Sequence, residues 1–189
     1  MRADIESDIV WAFLFHRRSL NEGISHSVYF SLLVFAVSAN GNSQTPQTAS
    51  DADKAFVAKV SQCGRYEVEA SKLALQKSSA QDVSDTANSE VHDHDLVNKK
   101  LKMISAATHV SIAPALNPDF TQKLDHLKTL SGEGFDRGYM EEMAAIHDKD
   151  EKLFAQEEID GSGDYKLFAA ETDLIVRRHI GAIHGAEPH

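Results

Sequence analysis

The sequence predicts an all-α protein, an up-down four-helix bundle with one short additional helix. Three observations predict it. Proline is scarce, 4 in 189 residues, and glycine modest at 10, which suits long helices better than a β-sandwich. Apolar residues recur at steps of three and four along four long stretches, with short polar turns between them. Apolar–polar alternation nowhere runs for six residues, and no long-period repeat is visible. Hydrophobic residues make up 42% of the chain, enough for one core, and the length suits one domain plus extras.

Residues 1–39 read as a leader. Within it, residues 28–37 (VYFSLLVFAV) form an apolar run of signal-peptide length, too short to span a bilayer comfortably. Arg17 and Arg18 lie upstream, and Val37-Ser38-Ala39 supplies the small residues that precede a cut, so cleavage is expected after Ala39. Residues 1–27 also hold Trp11 to Phe15 and four acidic residues, which a signal peptide does not need. A start codon assigned too far upstream explains them, or an uncleaved leader serving as an anchor. The alternative is a buried N-terminal helix. Residues 40–52 are rich in Gln, Thr, Ser and Asn and read as a flexible linker, which leaves 53–186 for the bundle. The expected location is the periplasm or outer envelope.

The first helix spans about Asp51 to Lys77, capped by Asp51 or Asp53, with the stripe Phe56, Val60, Cys63, Glu67, Ala70, Ala74. Ser78-Ser79-Ala80 is a short turn, so the second helix, about Gln81 to Ala107, returns antiparallel. Its stripe is Val83, Ala87, Glu90, His94, Val97, Leu101, Ile104. Pro114 and Pro118 make residues 108–118 a connection. Residues 119–130 form the short helix, with Phe120, Leu124, Leu127 and Leu130 on one face. The next long helix covers about Phe135 to Ile159, with Phe135, Tyr139, Met143, Ile146, His147, Asp150 and Phe154 inward. The last covers about Asp164 to Ala186, with Phe168, Thr172, Ile175, His179 and Ile183 inward.

Glu90 and His94 interrupt an apolar stripe, and a buried carboxylate or imidazole must be paired or bound to a metal. Counting from the turns tests whether partners reach the same height. Glu67 lies 12 residues before Ser79 and His94 lies 15 after, a mismatch of about 4–5 Å. His147 lies 15 before Ser162 and His179 lies 17 after, a mismatch of about 3 Å. With the two hairpins docked in register, Glu67, His94, His147 and His179 share one layer, and Glu90 lies one turn from His94. Three imidazoles and a carboxylate suit zinc, copper, iron or nickel. The alternative is that each is a singly satisfied core polar group.

These same segments carry a family resemblance. They are Phe56 to Lys59, Glu67-Val68-Glu69 and Lys72-Leu73-Ala74; Asp93-His94 with Asn98 and Leu101; Phe135-Asp136-Arg137, Tyr139-Met140, Met143, His147 and Leu153-Phe154; and Phe168-Ala169-Ala170 with Arg177-Arg178-His179. In order and spacing the chain resembles the domain of unknown function 4142 family of exported bacterial proteins, often labelled outer-membrane proteins. The resemblance implies a ferritin-like bundle in the periplasm or outer envelope, with Glu67, His94, His147 and His179 on the family's polar helix positions. It implies no assigned activity. The chain departs from the family pattern at Arg178, where histidine is frequent, and at Leu174, where proline is. Arg178 removes one ligand and adds a cation near the layer, which counts against a metal.

Other constellations are weaker. The di-iron pattern wants Glu-x-x-His on two helices, whereas Glu90 and His94 are four apart and Glu171 and His179 eight. A ferroxidase would need a second carboxylate site from Glu67, Glu69, Glu90 and Glu171. Asp160, Ser162, Asp164, Leu167 and Glu171 fall at calcium-loop places, but Tyr165 stands where the turn glycine belongs, so a helix-hairpin turn is expected. Cys63, the single cysteine, excludes an internal disulfide and reads as a buried thiol. His92, His109, His126, His184 and His189 are expected at the surface. No phosphate loop, nucleophile elbow or Cys-x-x-Cys is present, and no catalytic residue is assigned. A net charge of −10 without a basic stripe argues against nucleic acid. Protein partners and oligomeric state stay open, with peripheral envelope contact as an expectation. Two functions follow: an envelope bundle binding a transition metal, or a non-catalytic structural or stress-protection bundle whose polar core sets helix register.

Overall fold

A computed structural model of the chain describes residues 48–185. The leader, the linker up to residue 47, Ala186 and His189 lie outside the described residues. Five helices follow in order: α1 Asp51–Lys77, α2 Gln81–Ala107, α3 Pro118–Thr129, α4 Gly132–Asp160 and α5 Gly163–Ile183. The described residues contain no strand. The four long helices pack as a ring, α1 on α2, α2 on α5, α5 on α4 and α4 on α1, with α3 laid against α1 and α4. This is the up-down bundle with its extra helix between the second and third long ones.

The seam of α2 is buried at all seven positions from Val83 to Ile104. On α5 the buried face is Phe168, Ala169, Thr172, Asp173, Val176 and His179, so Ile175 and Ile183 are only partly covered. The N-cap of α1 is Ser50 rather than Asp51 or Asp53. Asp53 is the third helical residue and completes a capping box by accepting from the Ser50 amide at 2.6 Å. With Ala49 also buried, the bundle begins inside the stretch read as linker. Helix α4 starts three residues earlier than Phe135, and α5 ends at Ile183 rather than Ala186. Gly132 opens α4 at a φ of 52°, a left-handed backbone that glycine adopts without cost.

The core has stacked layers. Phe56, Phe154 and Phe168 meet edge-on or tilted with ring centroids 5.3–6.1 Å apart, each burial worth roughly 1.5–3 kcal/mol. Further along, the Ser71 and Tyr139 hydroxyls share a hydrogen bond of 2.9 Å. The polar layer lies between these two. Gly64 lets α1 approach α2 at this end of the seam: a Cβ there would lie 2.7 Å from Asn98 Oδ1. The Asn98 amide instead donates to the Gly64 carbonyl at 3.2 Å. No described helix is long and apolar enough to cross a membrane.

Candidate metal centre

Each long helix delivers its polar residue to one level. Glu67 comes from α1, Glu90 and His94 from successive turns of α2, His147 from α4 and His179 from α5. All five are between 0 and 3% exposed. The four residues picked out by counting are therefore brought together, and Glu90 joins them.

The tightest set differs by one residue from the expected one. Glu90, His94, His147 and His179 each offer a ligand atom, and these atoms lie within 4.8 Å of one another. Glu90 Oε1 is 3.3 Å from His147 Nε2 and 3.1 Å from His179 Nδ1, and those nitrogens are 3.1 Å apart. A tetrahedral ion with bonds of about 2.0–2.1 Å has ligand–ligand edges of about 3.3 Å, close to this triangle. His94 Nε2 approaches the other Glu90 oxygen at 3.1 Å. Glu67 stands behind the set, with Oε2 3.2 Å from His94 Nδ1 and Oε1 3.7 Å from His147 Nδ1.

The outer contacts fix which nitrogen each ring turns inward. His147 Nδ1 lies 2.9 Å from the Met143 carbonyl, to which it donates, leaving the Nε2 lone pair for the centre. His179 Nε2 donates to Asp93 Oδ2 at 2.9 Å, leaving Nδ1 inward. Glu67 Oε2 lies 3.2 Å from His94 Nδ1, without a hydrogen bond of proper geometry. A carbonyl or carboxylate behind a ligating imidazole is the usual way a metal site sets ring orientation.

A divalent ion also fits the donors. Burial, then the Asp150 and Glu90 charges, push the Glu67 carboxyl well above its ordinary range. Burial acts on Glu90 in the same direction, but the close approach of the His179 and His94 rings outweighs it and holds that carboxyl low. Burial pulls His147 down to about 4, so this ring is neutral. Burial opposes the charge on His179 too, yet Glu90 and Asp93 together raise it. Protons and carboxylates thus balance imperfectly. Both oxygens of Glu67 and Glu90 and both nitrogens of His94 are buried without a hydrogen bond of proper geometry, although they lie at ion-pair distances. Glu90, held ionised at the centre of three imidazoles, and the ring nitrogens turned toward it form a donor set that one divalent cation can join.

A family model described as Domain of unknown function (DUF4142) matches residues 38–184. The chain belongs to this family. The solved structure of a DUF305 fragment from Deinococcus radiodurans is similar to it, with a TM-score of 0.66 at 14% identity, covering 74% of this chain and 97% of that one. That likeness shows the fold alone. No curated protein matches the chain.

In this DUF4142 bundle Arg178 has a different place from the one its sequence position suggested. It lies outside the layer, more than half exposed, and its guanidinium holds Asp93 Oδ2 at 2.5 Å. It therefore steadies the carboxylate behind His179. Sequence reading missed Asp93, because i−1 from His94 points to another face of the helix; the partnership is made across to α5. Asp150 is buried one turn from His147, and burial pushes it to about 6. Cys63 is partly buried, its thiol pushed up by burial and by Asp150 and Glu67. The calcium-loop residues do not converge: Asp160 accepts from Gln156 and Glu171 from Lys100, across the bundle on α2. Glu69 and Glu171 are exposed, so neither adds a second buried carboxylate to the layer. His92, His109, His126 and His184 are exposed.

Proposed function

We propose that this DUF4142 chain is an exported envelope protein whose bundle core binds one transition-metal ion. Glu90, His94, His147 and His179 are the ligands, and Glu67 and Asp93 the outer carboxylates. One observation carries this reading: four ligand atoms from three helices converge within 4.8 Å in a buried layer short of hydrogen-bond donors. The donor set, three imidazoles and one carboxylate, suits zinc, copper, iron or nickel. Bound there, the ion would supply Lewis acidity or, for copper and iron, electron transfer. Export rests on the apolar run 28–37 and on Val37-Ser38-Ala39.

Elemental analysis of protein purified from metal-replete cells tests the site. About one ion per chain is expected in the wild type, and none in His94→Ala or His147→Ala. Wild-type protein without stoichiometric metal would overturn the reading. The structural bundle is the second reading, favoured by the close contact between His147 Nε2 and His179 Nδ1, which ties α4 to α5 directly. In that case Glu67→Gln and His94→Gln change stability and no variant changes metal content.

A further inference from the structure

The outer face formed by α2 and α5 carries four of the most exposed large apolar side chains: Leu96 at 53%, Met103 at 73%, Leu167 at 62% and Leu174 at 71%. Their common placement follows from the register of the two helices. Asp93 pairs with Arg178, Lys100 with Glu171, and the Thr108 hydroxyl with that of Tyr165. The helices are therefore antiparallel, and the flank of α2 bearing Asp93 and Lys100 adjoins the flank of α5 bearing Glu171 and Arg178. Leu96 and Met103 lie three residues after Asp93 and Lys100, on that α2 flank. Leu174 and Leu167 lie four residues before Arg178 and Glu171, on the matching α5 flank. At one level the face shows Leu96 beside Leu174. Two turns away it shows Met103 beside Leu167, and the Lys100–Glu171 ion pair separates the two levels.

We infer that this face docks a second copy of the chain, about a two-fold axis running parallel to the helices. Such an axis lays α2 of each copy on α5 of the other without shifting any level. Leu96 then meets Leu174 of the second copy, and Met103 meets Leu167. Lys100 meets Glu171, so the central ion pair becomes a four-charge ring of alternating sign. The other in-plane axis, perpendicular to the helices, would set Lys100 against Lys100 and Glu171 against Glu171, which disfavours it. The available area is adequate. The 21 residues of α5 run about 31 Å, and two helices side by side are about 20 Å wide. The face of about 600 Å², before side-chain relief is counted, approaches the ~800 Å² per partner of a standard interface. The second copy also closes over Arg178 and Asp93, the pair that holds His179.

Sedimentation and light scattering on the full chain test this. A dimer is expected, and Leu174→Glu or Met103→Glu should give a monomer with unchanged helical circular dichroism, since both positions are exposed. Charge reversal tests the axis independently. Lys100→Glu alone and Glu171→Lys alone should each be monomeric. Mixed together they should form a one-to-one dimer, because each reversed charge then faces its opposite. A monomeric wild type, a dimer that survives Leu174→Glu, or failure of the two reversed variants to pair overturns the proposal. So does a monomer that uses this face to bind phosphatidylglycerol vesicles.

Discussion

Two buried carboxylates on α1, four turns apart, are treated in opposite ways by the fold. Asp53 accepts from the Ser50 amide at 2.6 Å, the Ser162 amide at 3.0 Å and the Ser162 hydroxyl at 2.5 Å. Burial pushes its carboxyl up, yet these hydrogen bonds, Ser162 first, outweigh that and hold it below the usual range. Glu67 is equally buried, has no well-made hydrogen bond to either oxygen and is pushed far up. The difference separates two uses of core polarity. A carboxylate supplied with amide and hydroxyl donors is a structural clasp, here joining the start of α1 to the α4–α5 turn. A carboxylate facing imidazoles and other carboxylates has no resident donor and must take a proton or a cation.

The largest way to break the contrast is at the clasp. Asp53→Ala removes three hydrogen bonds to an ionised group, one of them the Asp53 half of the capping box, and should cost about 3 kcal/mol of unfolding free energy. The loss should be the same with chelator or with added metal, because Asp53 does not touch the central layer. Urea unfolding under both conditions measures it. A loss that depended on metal would mean that the two clusters are one coupled system.

A smaller effect is expected behind the central layer. Asp93→Asn keeps the shape of the side chain but weakens its hold on His179 Nε2 and its pairing with Arg178. Metal affinity should fall about 10–100-fold, the range for outer-shell partners of a ligating histidine. Competition with a chelator of known affinity reads this directly. Unfolding of the metal-free protein should change much less than in Asp53→Ala, since Asp93 is partly solvated.

Much of this was legible in the sequence, and the gaps have physical causes. The α2 seam and the limits of α1 and α2 follow from apolar spacing and a three-residue turn, signals that no tertiary contact overrides. Counting from the turns fixed the height of Glu67, His94, His147 and His179, because rise per residue is constant. Height does not fix rotation about the helix axis, so the choice between Glu67 and Glu90 as the carboxylate nearest three imidazoles was open by one turn. Asp93 and Arg178 lie at the edge of the core, where single-helix patterns read charged residues as solvated. Their pairing depends on the α2–α5 register, which no local signal carries. Ser50 escaped notice as the cap because Asp51 and Asp53 offer the same chemistry within the same turn.

The smallest expected effect is a pH dependence at the clasp. Glu157 lies beside Asp53 and is nearly covered, and burial, followed by the Asp53 carboxylate, pushes it to about 7 from 4.5. In the folded state it stays protonated to higher pH than in the unfolded chain. Its stabilising share is complete below pH about 4.5 and is lost as pH rises through about 7, because the unfolded state has already released the proton over that interval. Asp53 has the opposite sign: its share is present above its unfolded value and is lost as pH falls through its depressed folded value. A loss of ~1 kcal/mol is the size to expect. Glu157→Gln mimics the protonated carboxyl at every pH. The stability of the wild type relative to this variant should therefore fall between about pH 5 and pH 8 and level off above. A difference that instead rose over that interval would place an ionised Glu157 in the folded clasp, and the clasp would then be short of donors in the way the central layer is.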